Sequence, residues 1–166
     1  MAAGAFTPGR SSRRVVRANA FLRAEQRPPR ATLEQYDLFI NYIGTRHDDG
    51  EMDGMTFADY RSMVEQTRID TRMIEFRDEN GQLVAACLAD WLPEGPSAVY
   101  SFFDPALAQR GLGNYMVVWL IQAAQKAGLP YVYLGYWIEQ SPKMLYKIRF
   151  QPLEALGPDG WRTLVP

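Results

Sequence analysis

One cysteine and one histidine in 166 residues leave little for several common chemistries. Cys87, inside the apolar run Val84-Ala85-Ala86-Cys87-Leu88, can build neither a disulfide framework nor a cysteine-based zinc site. His47 stands alone in an acidic loop and reads as a surface residue rather than a catalyst. No apolar run approaches the ~20 residues needed to cross a bilayer. Met1–Pro29 lacks the apolar stretch of a signal peptide. The expectation is a single cytoplasmic unit with no metal centre and no membrane partner. Hydrophobic content is 47%, ordinary for a globular protein, and the length supports one real core.

The net charge of −1 hides an uneven distribution. Residues 1–30 carry seven arginines against Glu25 alone, residues 31–104 carry fifteen acids against five bases, and residues 105–166 carry six bases against three acids. The chain therefore divides into a basic arm, 1–30, and a domain, 31–166. A strongly basic arm suggests a polyanion such as nucleic acid, or simply a solvated terminus.

Met1–Gly9 has no periodic pattern and reads as a disordered start. Arg13–Arg17 reads as a short strand with arginines on one side. Thr32 with Gln35 forms a capping box, opening a helix with Leu33, Tyr36, Phe39, Ile40 and Ile43 on one face. Asp48–Gly54 is rich in acids but lacks the distal glutamate of a calcium loop. Thr56 caps a second helix through Phe57, Tyr60, Met63 and Val64. From Thr71 the period becomes two: a strand to Arg77, an Asn80-Gly81 hairpin turn, a strand Leu83–Trp91, a turn at Pro93–Pro96 and a strand Ser97–Phe103. Three strands joined by tight turns make an antiparallel meander.

Gln109-Arg110-Gly111-Leu112-Gly113 then enters a long helix ending near Lys126, followed by a strand at Tyr131–Leu134. Such a crossover pairs its strands in parallel. The glycines would let backbone N–H groups meet a phosphate at a helix start, or they merely make the turn. Beyond the strand, Tyr136 and Trp137 precede Ser141-Pro142, which reads as a helix start. That helix would carry Lys143, Lys147 and Arg149 beside Tyr146 and stop before Pro152. Rings beside cations could hold a stacked base and its phosphates. Equally, they could cap a core beside solvated lysines.

The element order and Gln109–Gly113 together resemble the GNAT N-acyltransferase fold: a mixed α/β architecture with a largely antiparallel central sheet flanked by helices. Three further segments carry a more specific resemblance. They are Val99-Tyr100-Ser101-Phe102-Phe103-Asp104-Pro105, Leu134-Gly135-Tyr136-Trp137-Ile138, and Ser141-Pro142-Lys143-Met144 followed by Tyr146-Lys147 and Phe150-x-Pro152-Leu153-Glu154. These look like the bacterial aspartate/glutamate leucyltransferases, relatives of the arginyl-tRNA–protein transferases. Arg13-Arg14-Val15-Val16-Arg17 leading to Asn19-Ala20 is similar to that family's arginine-rich segment, although Ala18 and Phe21 stand where the family commonly has an arginine and an aspartate. The family's cysteine-containing N-terminal region has no counterpart here, so the chain reads as a C-terminal portion.

The resemblance implies transfer of leucine, or arginine, from aminoacyl-tRNA to the α-amine of proteins beginning with Asp or Glu, marking them for degradation. The alternatives are a coenzyme-A-dependent N-acetyltransferase and an inactive tRNA-binding fragment. No cofactor is expected; aminoacyl-tRNA is the co-substrate. Tyr100, Tyr136 and Glu139, with Asp104, are candidates for proton handling. Arg13, Arg14, Arg17, Arg110, Lys143 and Lys147 would meet tRNA phosphates, and Trp137 would stack the terminal adenine. Arg149, with Lys147, would read the acidic acceptor or else meet tRNA phosphates, while Phe102, Phe103 and Met144 would house the leucyl side chain. Arg110, Trp137 and Lys143 are expected around one hollow.

Overall fold

The computed structural model describes residues 1–46, 54–142 and 144–165. His47, the 48–53 stretch and Lys143 lie outside them. Along the chain run α1 (Arg10–Ala18), β1 (Arg23–Arg27), α2 (Leu33–Arg46), α3 (Phe57–Glu65), β2 (Asp70–Arg77), β3 (Leu83–Leu92), β4 (Gly95–Phe103), a 3-10 helix (Pro105–Arg110), α4 (Leu112–Lys126), a 3-10 turn (Leu145–Arg149) and the hairpin β5 (Leu153–Gly157) and β6 (Gly160–Leu164).

The strands β1-β2-β3-β4 form one antiparallel sheet in sequence order. Its central turn follows from side-chain chemistry: Asp78 Oδ1 accepts the N–H groups of Asn80 and Gln82, both at 2.9 Å. Gly81 supplies the positive φ, 81°, that closes the turn. Helices cover both faces of the sheet, so β3 is buried without interruption from Leu83 to Ala89. One face carries Phe39, Ile43, Tyr60 and Val64 of α2 and α3. The other carries Leu112, Met116, Leu120 and Ile121 of α4 with Val15 of α1. Both predicted caps form: Thr32 with Gln35, and Thr56, whose box is completed by Asp59.

Cys87 is buried at 1% exposure, and burial pushes its thiol up to about 12. A thiolate-selective reagent should therefore leave the native protein unlabelled at pH 8 and react once denaturant unfolds it. Rapid native labelling would contradict that burial.

Several sequence expectations are corrected. Arg13–Arg17 is helical, because Arg10, Arg13, Arg14 and Arg17 share one helical face while Val15 turns inward. Five residues are too few to tell that pattern from alternation. Met1–Gly9 is not disordered: Met1, Ala3 and Phe6 are core residues, and Gln125 Nε2 donates to the Ala3 carbonyl at 2.9 Å. Val15 and Leu22 join the same core cluster, while Arg23–Arg27 is largely exposed. Leu33 is 65% exposed, the inward face of α2 running instead through Leu38, Phe39, Tyr42 and Ile43. The helix expected from Ser141 is a turn followed by five residues of 3-10 helix, since Pro142 and Pro152 leave too short a span for α-helical turns to propagate.

The expected strand at Tyr131–Leu134 survives as one parallel bridge, Ser97 to Tyr133, and one antiparallel bridge, Ala2 to Tyr131. Tyr131 and Tyr133 donate to the carbonyls of Glu94 and Pro96 at 3.0 and 2.9 Å, and Ala98 donates to Tyr133 at 2.9 Å. Among the described residues these cross-links end at Ala98. The register of β4 against β3 also breaks there: Leu88 pairs with Tyr100 and Ala89 with Ala98, leaving Val99 as a bulge. The sheet therefore opens between β4 and the segment after Tyr133.

Candidate functional site

A cleft of about 800 Å³ lies between two walls, the Tyr131–Trp137 segment and the β5–β6 hairpin. Gly135 turns the first wall with a φ of 74°, a value glycine adopts without strain. Lys147 reaches across from the 3-10 turn, its Nζ donating to the Tyr136 carbonyl at 2.6 Å. Partial burial lowers the Lys147 pKa. Tyr133 donates its hydroxyl to Glu94 at 2.9 Å, and desolvation, then the Glu94 hydrogen bond and charge, raise its pKa.

The cleft also displays apolar surface. Tyr136 is 87% exposed, Trp161 60% and Leu156 66%. Exposed rings grouped around one hollow, with a cation at its edge, suit a flat aromatic ligand carrying negative charge.

On α1 the arginine face is exposed. Its nine residues contain no acid, and among the described residues Arg10, Arg13, Arg14 and Arg17 form no ion pair. Arg13 donates to the Pro8 carbonyl at 2.8 Å. Four adjacent uncompensated cations repel one another and favour a polyanion.

The glycine turn entering α4 has a packing role. Gly111 takes a φ of 67°, and a Cβ there would meet Val15 at 3.3 Å. Asn19 Nδ2 ties the turn to α1 by donating to the carbonyls of Arg110 (3.0 Å) and Val15 (2.9 Å).

The candidates from sequence separate into groups. Tyr136, Trp137 and Lys147 share the large cleft. Arg110 lies elsewhere, its guanidinium 4.6 Å over the Phe21 ring. The single hollow expected for Arg110, Trp137 and Lys143 is thus not formed by the two that are described, because Phe21 draws Arg110 away. Tyr100 stacks among Phe39 and Phe102 on the α2 side of the sheet. Glu139 is exposed in a turn and lines neither cleft described here. Asp104 caps the first 3-10 helix by accepting from Ala106 N–H at 3.0 Å.

Phe102 is 1% exposed, sealed against Phe39 and Tyr60, so it cannot line a leucyl pocket. Phe103 is half-buried with its ring 5.0 Å from Tyr42, and Met144 is half-buried at the start of the 3-10 turn. Arg149 lines a different, smaller cleft.

Residues 34–157 match the family described as Arginine-tRNA-protein transferase, C terminus. The chain belongs to this family. The matched span runs from α2 through β5 and includes the ring-bearing wall and Lys147. Among curated relatives, the aspartate/glutamate leucyltransferase of Paramagnetospirillum magneticum is 56% identical over 161 residues, covering 97% of this chain and 66% of that protein. The same-named protein of Rhodospirillum rubrum is 54% identical over 160 residues, covering 96% and 65%. The chain thus spans just under two thirds of the length of the curated relatives it matches.

In solved structures the likeness is one of fold. A ribosomal-protein-alanine N-acetyltransferase from Brucella melitensis superposes with a TM-score of 0.58 at 16% identity, covering 87% of this chain and 96% of that one. L-PGS from Bacillus licheniformis gives 0.57 at 13% identity, covering 89% and 50%. The fold is that of the GNAT acetyltransferases, as expected.

Sequence reasoning missed the far wall of the cleft. The hairpin β5–β6 brings Trp161 and Arg162 to it. Its signal was present: Leu153–Gly157 and Gly160–Leu164 flank Pro158-Asp159, a turn dipeptide.

Proposed function

We propose that this chain carries the acyl-transfer centre of an aminoacyl-tRNA–protein transferase. Leucine, or arginine, passes from tRNA to the α-amine of a protein beginning with Asp or Glu, which marks that protein for degradation. The observation that carries this reading is the 56% identity to an aspartate/glutamate leucyltransferase across 97% of the chain.

The chemistry asks little of the protein's own acids and bases. The donor is an activated ester, and an α-amine of pKa ~7.7–8 is partly neutral at pH 7. Holding amine and ester in line supplies much of the barrier reduction. Trp137 and Tyr136 offer π-faces to the terminal adenine, whose stacking is worth ~1–3 kcal/mol per base. Lys147, held by the Tyr136 carbonyl, brings a positive charge to the same cleft, for the acceptor's carboxylate or a terminal phosphate. Of the four proton-handling candidates, Tyr136 is the one that lines this cleft. The α1 arginines face outward, where an acceptor stem would pass.

The test is transfer of radiolabelled leucine from leucyl-tRNA to an Asp-starting peptide, with an Ala-starting peptide as control. Incorporation into the first alone supports the reading. Salt-sensitive tRNA binding without transfer from leucyl- or arginyl-tRNA indicates a binding module instead. A rise in Tm with acetyl-coenzyme A indicates an acetyltransferase. Lys147→Ala should lower transfer by about tenfold or more, as expected for a lost charge-assisted hydrogen bond of ~1.5–3 kcal/mol, with a nearly unchanged melting curve. Wild-type rates in that variant would remove Lys147 from the mechanism.

A further inference from the structure

A second cleft, of about 320 Å³, lies between the start of α1 and the 3-10 turn. Arg10 enters it from α1 and Arg149 from the turn, with Thr7, Ser11, Ser12 and Asn114 also on its surface. No carboxylate lines it. Among the described residues, neither guanidinium has an ion-pair or hydrogen-bond partner. Two free guanidiniums, each a planar fork of donors matched to phosphate oxygens, therefore border one hollow rimmed by hydroxyls. The first turn of α1 adds to this: Gly9 caps it without a side-chain acceptor and no acid neutralises it.

We propose that this cleft seats a backbone phosphate of RNA, at the end of the track formed by the arginine face of α1. Arg10 belongs to both the cleft and the stripe, so the two are continuous. Arg17 stands seven residues further on, ~10 Å along the helix, a span of a few nucleotides of backbone. A strand following Arg17, Arg14 and Arg13 reaches Arg10 and there meets Arg149 from a separate element. That converts a line of point charges into a site with a defined end. Arg149 then serves the donor RNA and not the acidic residue of the acceptor, from which the separate location of the aromatic cleft divides it. The inference rests on the tRNA reading above but concerns binding, not transfer.

The test compares the full chain with Arg10→Gln/Arg149→Gln and, separately, Ser11→Asp. Binding of unacylated tRNA is followed by fluorescence anisotropy across a salt series. The double variant should reduce the slope of log K against log salt by about one, because one phosphate loses its partners, equally for unrelated tRNA sequences. Ser11→Asp should leave or raise Tm, because an acid favours a helix start, while weakening RNA binding. An unchanged slope overturns the proposal. So does a rise in the acceptor peptide's KM with RNA affinity intact, which would return Arg149 to the acceptor. Inorganic phosphate is the second probe. If the variants alter its binding while RNA binding stays as in wild type, the cleft is a free-anion site and the RNA assignment fails. A reduced slope in a chain that transfers no leucine would leave the seat standing and remove the transfer activity. Normal transfer with an unchanged slope would do the reverse.

Discussion

Gly95→Ala is expected to destabilise the protein by about 4 kcal/mol, lowering Tm by roughly 10 °C for a chain of this size. Gly95 opens β4 with a φ of 150°, and a Cβ there would sit 1.8 Å from the Tyr131 carbonyl oxygen and 2.6 Å from its carbon. The obstacle is backbone, so no rotamer relieves it. The Tyr131–Tyr133 segment would have to leave β4, breaking the three hydrogen bonds that join it to Glu94, Pro96 and Ala98, each worth about 1 kcal/mol. It would also lift Val132, fully buried, out of the core, at ~1.5–3 kcal/mol. The same segment is a wall of the aromatic cleft, so transfer should fall even at temperatures where the variant stays folded. Gly81→Ala is the control: its φ is 81° with nothing within 4 Å of the added carbon, so it carries strain of about 1–2 kcal/mol without collision. Thermal melts by circular dichroism decide the matter. If the two variants melt together, the tight approach at Gly95 is not what holds the cleft wall.

The contrast between those glycines also shows what a sequence can and cannot disclose. Asn80-Gly81 was readable because its geometry is local: four residues dictate the turn. Gly95 looked like one more turn residue, since its reason is a carbonyl thirty-six positions away. The meander and both capped helices were likewise legible, each resting on residues near one another in sequence. What stayed hidden depended on tertiary partners. The segment at Met1–Phe6 lacks periodicity because it is irregular, yet its Met1, Ala3 and Phe6 are buried beside α4 and Val132. The bulge at Val99 is a property of two strands in register, not of either alone. Tyr136, Trp137 and Lys147 line one cleft, a neighbourhood that their nearness in sequence makes legible. The expected meeting of Arg110 with Trp137 is not legible locally, because nothing near Arg110 in sequence announces that it lies on Phe21.

Glu75→Ala should cost about 3 kcal/mol and lower Tm by roughly 6–12 °C, with little effect on either cleft. Glu75 is 2% exposed on β2 beneath α2. One carboxylate oxygen accepts from Gln35 Nε2 at 2.7 Å; the other accepts from Arg27 Nε at 3.0 Å and from Arg77 at 2.8 and 3.1 Å. It thereby joins β1, β2 and α2 at one buried point. Removing it strands the Gln35 amide, 1% exposed, and takes one of two anions from Arg77. Arg77 keeps Glu34, to which it donates at 2.7 and 2.9 Å, and Arg27 is half in water. Those residual partners hold the cost near the low end of the ~3–5 kcal/mol seen when a buried ion pair is broken. Glu75→Gln, which keeps the shape and loses the charge, should cost about half as much. No member of this network lines either cleft, so leucine transfer measured at 25 °C should stay within about twofold of wild type in Glu75→Gln. A much larger fall in transfer there would mean that the α2 face of the sheet communicates with the cleft. Matched activity with a depressed Tm would assign Glu75 to stability alone and leave the aromatic cleft, walled by Gly95's partner segment, as the seat of function.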